Sequence, residues 1–157
     1  MSDQGKVTDI NRILEEMWRE LIEQERAIYS AKVIEYAHNP RNLGRIDRPD
    51  AHKILHGPCG DTMEIYLRLD QEGIRGVTFM TDGCSPSIAC GSMLTTMVQG
   101  ISLEEASTIE PEDLLAALDG LPEGSAHCAK LAVNTLREAI ANWHRRVRAR
   151  SEASDDG

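Results

Sequence analysis

The sequence predicts an α+β fold in which a small three-stranded antiparallel sheet packs against several helices, with an amphipathic helix added at the N-terminus. Residues 51–82 hold three short β-patterned runs separated by turn residues, and the stretches on both sides follow helical periodicity. A chain of 157 residues suffices for one domain with a core, but not comfortably for two. We expect an extension over residues 1–28, a domain over 29–148 and a disordered acidic tail over 149–157.

The composition excludes several classes of function. Lys and Arg total 17 against 26 Asp and Glu, a formal net charge of −9, so the chain lacks the basic face that nucleic-acid binding requires. No apolar run approaches the roughly 20 residues that span a bilayer, and the N-terminal residues lack the apolar stretch of a signal peptide. We therefore expect a cytoplasmic protein that binds neither nucleic acid nor membrane.

The extension is predicted to form an amphipathic helix over residues 8–28. Its apolar residues recur at the i, i+3, i+4, i+7 spacing of one helix face, and Glu and Arg side chains cover the other face. The apolar residues are Ile10, Ile13, Leu14, Met17, Trp18, Leu21, Ile22 and Ile28. We expect this face to be buried against its own domain; self-association or docking of a partner is the alternative. A second helix, residues 30–36, ends before the Asn39-Pro40 step.

The three predicted strands are residues 52–56, 63–69 and 74–81. The second alternates cleanly, and Gly76 in the third is a candidate bulge. One face of the second strand holds Met63, Ile65, Leu67 and Leu69. In an antiparallel meander, the turn after the first strand and the end of the third lie at the same end of the sheet. The turn contains Cys59 and the third strand leads to Cys84, so the topology brings both cysteines to one edge.

Helical patterns follow the last strand. They lie within residues 85–100, 102–106, 110–120 and 126–148. Cys84 directly precedes the first of these helices, and Cys128 lies in the first turn of the last one. Unpaired N–H groups and the positive end of the helix dipole favour a thiolate at such positions. We therefore expect a lowered pKa at both thiols.

The cysteines are the strongest chemical signal in the sequence. In a reducing compartment they are more often metal-binding or catalytic than disulfide-bonded, although spacing alone also allows inert thiols. Asp61 follows Cys59 by two residues and His127 adjoins Cys128, which gives a mixed set of thiol, carboxylate and imidazole. Such a set is softer than calcium or magnesium sites need and suits zinc or an iron–sulfur cluster. Cys90 continues an apolar helical stripe, which predicts a core position.

Five motifs together carry a resemblance to a known family. They are YSAKVIEYAHNPRNLG at 29–44, CGD at 59–61, DGCSPSIACGSMLT at 82–95, GISLEEA at 100–106 and HCAKLAVNTLREAI at 127–140. In this order they resemble the IscU/NifU-type iron–sulfur cluster assembly scaffold, over residues 29 to about 145. The resemblance implies a scaffold and not an enzyme. It would assemble a transient [2Fe–2S] cluster from iron and desulfurase-derived sulfur and transfer it to apo-proteins.

The resemblance also assigns roles to residues. The family's three cluster cysteines fall on Cys59, Cys84 and Cys128, its aspartate on Asp61 and its histidine on His127. It implies that a cysteine desulfurase delivers persulfide sulfur, that Cys128 accepts it, and that Asp61 or His127 completes the ligand set. The alternative is a zinc-dependent sulfur-transfer protein of the Suf type that uses the same cysteines and aspartate. The His-Cys pair at 127–128 favours the first interpretation.

Three features depart from the family pattern. LPEGS at 121–125 replaces the LPPVK chaperone-docking motif of bacterial Isc-type members, which argues against a dedicated chaperone partner. Residues 1–28 have no counterpart in the minimal scaffolds, and Cys90 stands where members often have a small residue without a thiol. A homo-oligomer is compatible with the sequence, which does not fix the oligomeric state.

Overall fold

The structure is a computed structural model that describes the backbone of residues 2–155 and the side chains of residues 7–154. Along the chain lie α1 (Ser2–Ile28), α2 (Ala31–His38), β1 (Ala51–His56), β2 (Thr62–Asp70), β3 (Gly73–Thr81), α3 (Ser85–Val98), α4 (Leu103–Ser107), α5 (Pro111–Ala117) and α6 (His127–Asp155). A single 3-10 turn, Glu123–Ser125, precedes α6. The predicted α+β class, with a small antiparallel sheet and an added N-terminal helix, is confirmed.

The sheet has the strand order β1-β2-β3, and both strand pairs are antiparallel. β2 lies in the centre, and its residues Met63, Ile65 and Leu67 are completely buried, as the alternation predicts, while Leu69 is half-buried. α6 packs against β1 and β2, α3 packs against β3, and α2 packs on α3. The core is therefore a layer of helices laid on one face of a three-stranded sheet.

A bulge interrupts the pairing of β2 with β3 at the end near their connecting turn. Arg68 pairs with Gly76 and Leu69 pairs with Ile74, which leaves Arg75 as the extra residue. The bulge therefore lies directly before Gly76, the glycine singled out in the sequence. Beyond it, the register runs without a shift to Thr81 at the end of β3.

α3 approaches β3 most closely at Gly91. A Cβ atom at this position would overlap the ring of Phe79, which is completely buried. Glycine in a helix interior costs about 1 kcal/mol relative to alanine, and the close approach explains why it is present here. Cys90 beside it is 0% exposed, so the predicted core position is confirmed, and burial strongly raises the pKa of its thiol.

α1 is helical as predicted, but its apolar face does not pack on the domain. Seven of the eight apolar side chains named in the sequence are exposed, and only Ile22 is half-buried. The main contact of α1 is with α2, where the Glu25 carboxylate lies 2.6 Å from His38 Nε2 and Trp18 meets the same ring edge-on. The expected burial against its own domain is wrong, because the eight-residue α2 is too short to cover a 27-residue helix.

The last helix is longer than the sequence analysis expects. α6 continues through Asp155, so most of the segment 149–157, expected to be a disordered tail, is helical; residues 156 and 157 lie outside the described part. The reason is local, because residues 145–153 are rich in Arg and Ala, which are strong helix formers, and contain no Gly or Pro. Among the described helices, α6 included, none combines the length and the apolarity needed to cross a bilayer.

The close approach at Gly91 gives a stability prediction. Gly91→Ala should lower the melting temperature by about 2–8 °C, because overpacking typically costs about 1–3 kcal/mol and exceeds the gain in helix propensity. Gly124→Ala is the control, since no atom lies within 4 Å of its Cβ position. Thermal unfolding followed by circular dichroism measures both variants. Equal melting temperatures for the two would contradict the packing of α3 on β3 described here.

Candidate metal centre

The turn between β1 and β2 holds Cys59 in solvent. The Gly60 amide donates to the Gly57 carbonyl at 3.1 Å, and the Gly57 amide donates to the Asp61 carbonyl at 2.7 Å, so the turn closes on itself. Gly60 has a φ of +83°, a left-handed conformation that favours glycine. Cys59 is exposed at the tip of this turn, and Asp61 stands at its base, where β2 begins.

The carboxylate of Asp61 points into the protein. Its Oδ2 accepts a hydrogen bond from the Ser87 hydroxyl at 3.1 Å, while its Oδ1 is buried with no hydrogen-bond partner among the described residues. A Cβ atom at Gly57 would stand 2.6 Å from this Oδ1 and 3.0 Å from Leu131 Cδ2, so the turn has room only for glycine there. A buried acceptor without a partner is costly, and a carboxylate oxygen in this state is suited to a cation.

A network of short hydrogen bonds fixes the end of β3 to the start of β2. The Thr62 amide donates to Asp82 Oδ1 at 2.6 Å, and Thr81 Oγ1 donates to the Thr62 carbonyl at 2.6 Å. The bond from the Thr62 amide lowers the pKa of Asp82. Cys84, two residues after Asp82, is the exposed N-cap residue of α3. The predicted arrival of both cysteine-bearing segments at one end of the sheet is thereby confirmed.

The start of α6 supplies the remaining donors. Cys128 is 2% exposed, and its sulfur lies 3.7 Å from His127 Nε2 and 3.4 Å from the Ser87 hydroxyl oxygen. Together with one oxygen of Asp61, the ligand atoms of His127 and Cys128 all lie within 4.8 Å of one another. We call Asp61, His127 and Cys128 the inner group. Its thiol, imidazole and carboxylate are the donor types that zinc and iron accept.

The electrostatics of Cys128 differ from the sequence-based expectation. Burial raises the pKa of its thiol, and the neighbouring Asp61 carboxylate raises it further. The charges of Cys84 and Cys59 act in the same direction, and the hydrogen bond from Ser87 offsets only part of the shift. The expected lowering of this pKa is therefore wrong at Cys128, because removal from water disfavours the charged thiolate.

The five predicted site residues form two sets. Asp61, His127 and Cys128 come together in the inner group, whereas the sulfurs of Cys59 and Cys84 do not join it. Both outer cysteines are exposed and still lie close enough for their charges to act on Cys128. The site therefore combines an inner group, in which Cys128 is buried and Asp61 and His127 are half-buried, with an exposed pair of thiols nearby.

Ser87 is the site residue that the sequence did not reveal. It is 0% exposed, and its hydroxyl reaches both Asp61 and Cys128. A Cβ atom at Gly83 would overlap the Ser87 side chain, so Gly83 makes the room that Ser87 occupies. The sequence feature that could have indicated Ser87 is its position in the first turn of α3, three residues after Cys84.

An α+β domain with thiol, imidazole and carboxylate groups gathered at one end of its sheet defines a small protein built around a candidate metal centre. The chain belongs to the family of the NifU-like N-terminal domain, whose model matches residues 28–150. It is 40% identical over 120 residues to iron–sulfur cluster assembly scaffold protein IscU 1 of Archaeoglobus fulgidus, covering 76% of this chain and 78% of that protein. The IscU scaffold protein of Escherichia coli K12 is 38% identical over 120 residues, with 73% and 93% covered.

Solved structures share the fold. The N-terminal part of a NifU-like protein from Brucella abortus superposes with a TM-score of 0.61 at 21% identity, covering 75% of this chain and 95% of that one. A protein from Fervidobacterium islandicum, described as a scaffold for the SUF system, gives 0.60 at 20% identity, with 73% and 97% covered. At these identities the likeness shows the fold alone. The resemblance stated from the motifs is confirmed, and the first 27 residues lie outside the matched region.

The burial of Cys128 predicts an order of thiol reactivity. In chelator-treated protein at neutral pH, iodoacetamide should modify Cys59 and Cys84 first, Cys128 at least about tenfold more slowly, and Cys90 last. The thiolate is the attacking species, so each unit by which a pKa is raised removes about nine-tenths of it. Because the pKa of Cys128 is raised, its rate should keep increasing at pH values above the ordinary thiol range.

Timed quenching and peptide mass spectrometry measure the four rates. In guanidinium chloride all four cysteines should react alike, which is the control for sequence effects. Modification of Cys128 as fast as Cys59 in the folded protein would contradict the buried geometry.

Proposed function

We propose that this chain is a scaffold on which a transient [2Fe–2S] cluster is assembled and from which it is transferred to apo-proteins. The observation that carries the proposal is the buried Oδ1 of Asp61, which has no hydrogen-bond partner among the described residues, beside Cys128 and His127 and near two exposed cysteines. The relatives named as iron–sulfur cluster assembly scaffolds support it. The iron and sulfur are cargo in this proposal, and the chain is not an enzyme.

The proposed ligands are Cys59, Cys84 and Cys128, with Asp61 or His127 as the fourth. The inner group already presents one sulfur, one nitrogen and one oxygen donor. The two outer thiols reach the same centre if the turn that bears Cys59 and the segment that bears Cys84 move inward. A fourth ligand other than cysteine binds iron more weakly than a thiolate does, so the cluster remains releasable, as a scaffold requires.

Sulfur delivery is proposed to occur on Cys128. Its thiolate attacks the outer sulfur of a persulfide on a cysteine desulfurase, a new S–S bond forms, and the donor cysteine leaves as a thiolate with no net change of oxidation state. Reducing two such sulfurs to sulfide takes four electrons. Oxidation of two Fe²⁺ to Fe³⁺ supplies two of them, and an external thiol or electron carrier supplies the others.

The burial of Cys128 sets a condition on this delivery. A thiol that is 2% exposed and has a raised pKa is a poor nucleophile until the end of the sheet opens. A groove of about 270 Å³ leads to His127, between Pro58 in the turn and Lys130 on α6. We propose that the donor segment enters along this groove and displaces the turn, which exposes the sulfur of Cys128.

The partners that follow are a cysteine desulfurase and recipient apo-proteins, and the proposed location is the cytoplasm. No dedicated chaperone is included, since LPEGS at 121–125 stands in place of LPPVK. In the structure this segment contains the 3-10 turn Glu123–Ser125, which is separated from the inner group residue His127 by Ala126 alone.

The second candidate function is zinc-dependent persulfide transfer of the Suf type. The observation that favours it is the compactness of the inner group, whose three donor atoms within 4.8 Å fit a single ion. Asp61 and Cys128 of this group, together with Cys59 and Cys84, would hold the ion, and Cys128 would exchange sulfur when its thiolate leaves the ion. Zinc is colourless, so the optical spectrum of the loaded protein separates the two functions.

The decisive experiment is anaerobic reconstitution of the full chain with Fe²⁺, a cysteine desulfurase, cysteine and a thiol reductant. We expect visible thiolate-to-iron absorption with two iron and two sulfide per cluster, and transfer of both to an apo-ferredoxin. Cys59→Ala, Cys84→Ala and Cys128→Ala should each lose most of the bound iron and sulfide. Cys90→Ala, with its thiol in the core, should retain them. A colourless protein that holds one zinc would favour the second candidate.

Asp61 should govern the lifetime of the cluster. A carboxylate among thiolates is a hard, exchangeable ligand, so Asp61→Ala should hold its cluster several-fold longer than the parent protein in air or against a chelator. Decay of the visible absorption measures this lifetime. Asp113→Ala is the control, because this carboxylate lies on α5, where it accepts a hydrogen bond from the Glu110 amide. Faster loss from Asp61→Ala would instead make Asp61 an essential ligand.

A further inference from the structure

The apolar face of α1 is the largest feature that the proposed function does not use. Eight of the eleven exposed large hydrophobic side chains in the described part of the chain lie on this one helix, each 48–61% exposed. They are Val7, Ile10, Ile13, Leu14, Met17, Trp18, Leu21 and Ile28. The family model begins at residue 28, so all of this face except Ile28 lies outside the matched part of the chain. Such a patch on a soluble domain indicates an interaction surface.

The spacing within this face identifies the kind of surface it fits. Val7, Leu14, Leu21 and Ile28 are seven residues apart, and Ile10 and Met17 fall between them at the spacing of positions a and d in a heptad. Gln24 occupies the next d position as a polar residue. A strict seven-residue repeat keeps one seam facing a second helix, whereas a face that packs on a globular core follows a period of 3.6. The occupant indicated is therefore another amphipathic helix.

The area of the face matches what a homodimer needs. A fully buried aliphatic side chain removes about 60–120 Å² of apolar surface from water, since it is worth about 1.5–3 kcal/mol at about 25 cal/mol per Å². Eight such side chains supply on the order of 500–1,000 Å² per copy, and a standard interface takes about 800 Å² per partner. A second copy of this chain offers an identical face, which a two-fold interface requires.

The charges favour an antiparallel arrangement of the two helices. Residues 15–28 carry five Glu and two Arg, whereas residues 7–14 carry only Asp9 and Arg12, which form an i, i+3 ion pair. A parallel pair would bring the two acidic halves together. An antiparallel pair sets each acidic half against the balanced half of the other copy, with Leu14 opposite Met17 and Leu21 opposite Ile10.

We propose that two copies of this chain associate through an antiparallel coiled coil formed by their α1 helices. The dimer seam is the a and d set of residues 7–28, and Ile13 and Trp18 extend it at its edges. Residues 29–148 of each copy take no part in this seam. Dimerisation is therefore independent of whether the metal centre assembles a cluster.

The first test is the mass of the full chain by sedimentation equilibrium over a range of concentrations. The parent protein should be a dimer, and Leu14→Glu with Leu21→Glu should raise the dimer dissociation constant at least about a hundredfold, because four buried leucines are lost per dimer. Arg19→Glu is the matched control, since it changes the net charge by the same amount on the outer face of the seam. It should remain dimeric.

Two further readouts make the proposal specific. In a Trp143→Phe background, Trp18 is the one remaining tryptophan. Its fluorescence should shift to longer wavelength when dilution or the two leucine substitutions separate the dimer. Arg19→Glu should not cause this shift. A photo-crosslinking amino acid at position 7 should join to residues 21–28 of the other copy. Cross-links to the region around residue 7 would overturn the antiparallel orientation. A monomer at all concentrations, or a dimer that survives both leucine substitutions, would overturn the seam itself.

Discussion

The candidate metal centre depends on the antiparallel pairing of β2 with its two neighbours. Met63 pairs with Leu55 on one side and with Thr81 on the other, so the turn before β2 and the segment after β3 lie at the same end of the sheet. The bonds from the Thr62 amide to Asp82 and from Thr81 to the Thr62 carbonyl secure this alignment at the last residues. α6 lies on the inner face of the same strands, which sets Cys128 beneath the two exposed cysteines.

Within this frame, the chemistry of the inner group is set by a shortage of hydrogen-bond donors. Ser87 lies near both the Asp61 carboxylate and the Cys128 sulfur, but a hydroxyl has only one proton to donate. If it serves the carboxylate, the sulfur keeps only His127 Nε2, 3.7 Å away, as a hydrogen-bond partner among the described residues. If it serves the sulfur, neither oxygen of Asp61 has a donor among those residues. A bound cation would interact favourably with the carboxylate and the thiolate at the same time. The site therefore suits a metal ion better than it suits a metal-free pair of acid and base.

The sequence predicted the fold well because its signals there are local. Alternation at Met63, Ile65 and Leu67 defines a half-buried strand wherever it occurs. The placement of Cys59 and Cys84 at one edge followed from topology alone. Cys90 was predictable as well, since it continues a stripe of apolar residues. Each of these inferences uses only residues that are close in the sequence or the direction in which a strand runs.

The errors have a common physical origin, which is packing between distant segments. The helix start at Cys128 favours a thiolate locally, but the packing of α6 removes that thiol from water and reverses the shift. Ser87 contacts residues 26 and 41 positions away, and no periodicity reports such contacts. The apolar face of α1 is visible in the sequence, whereas the surface that would cover it is not. At the C-terminus, the acidic residues suggested disorder although the helix formers before them continue α6.

The bulge at Arg75 divides β3 into two parts with different tolerance to changes in chain length. Gly76–Thr81 pairs with β2 without interruption, so deletion of one residue there would turn every following inward side chain outward and displace Phe79 from the core. Loss of Arg75, the extra residue, removes the bulge and leaves that ladder in register. A change of one residue in chain length should therefore be tolerated better at Arg75 than within Gly76–Thr81. The position of Cys84 at one end of the sheet therefore does not depend on the chain length of the turn at the opposite end.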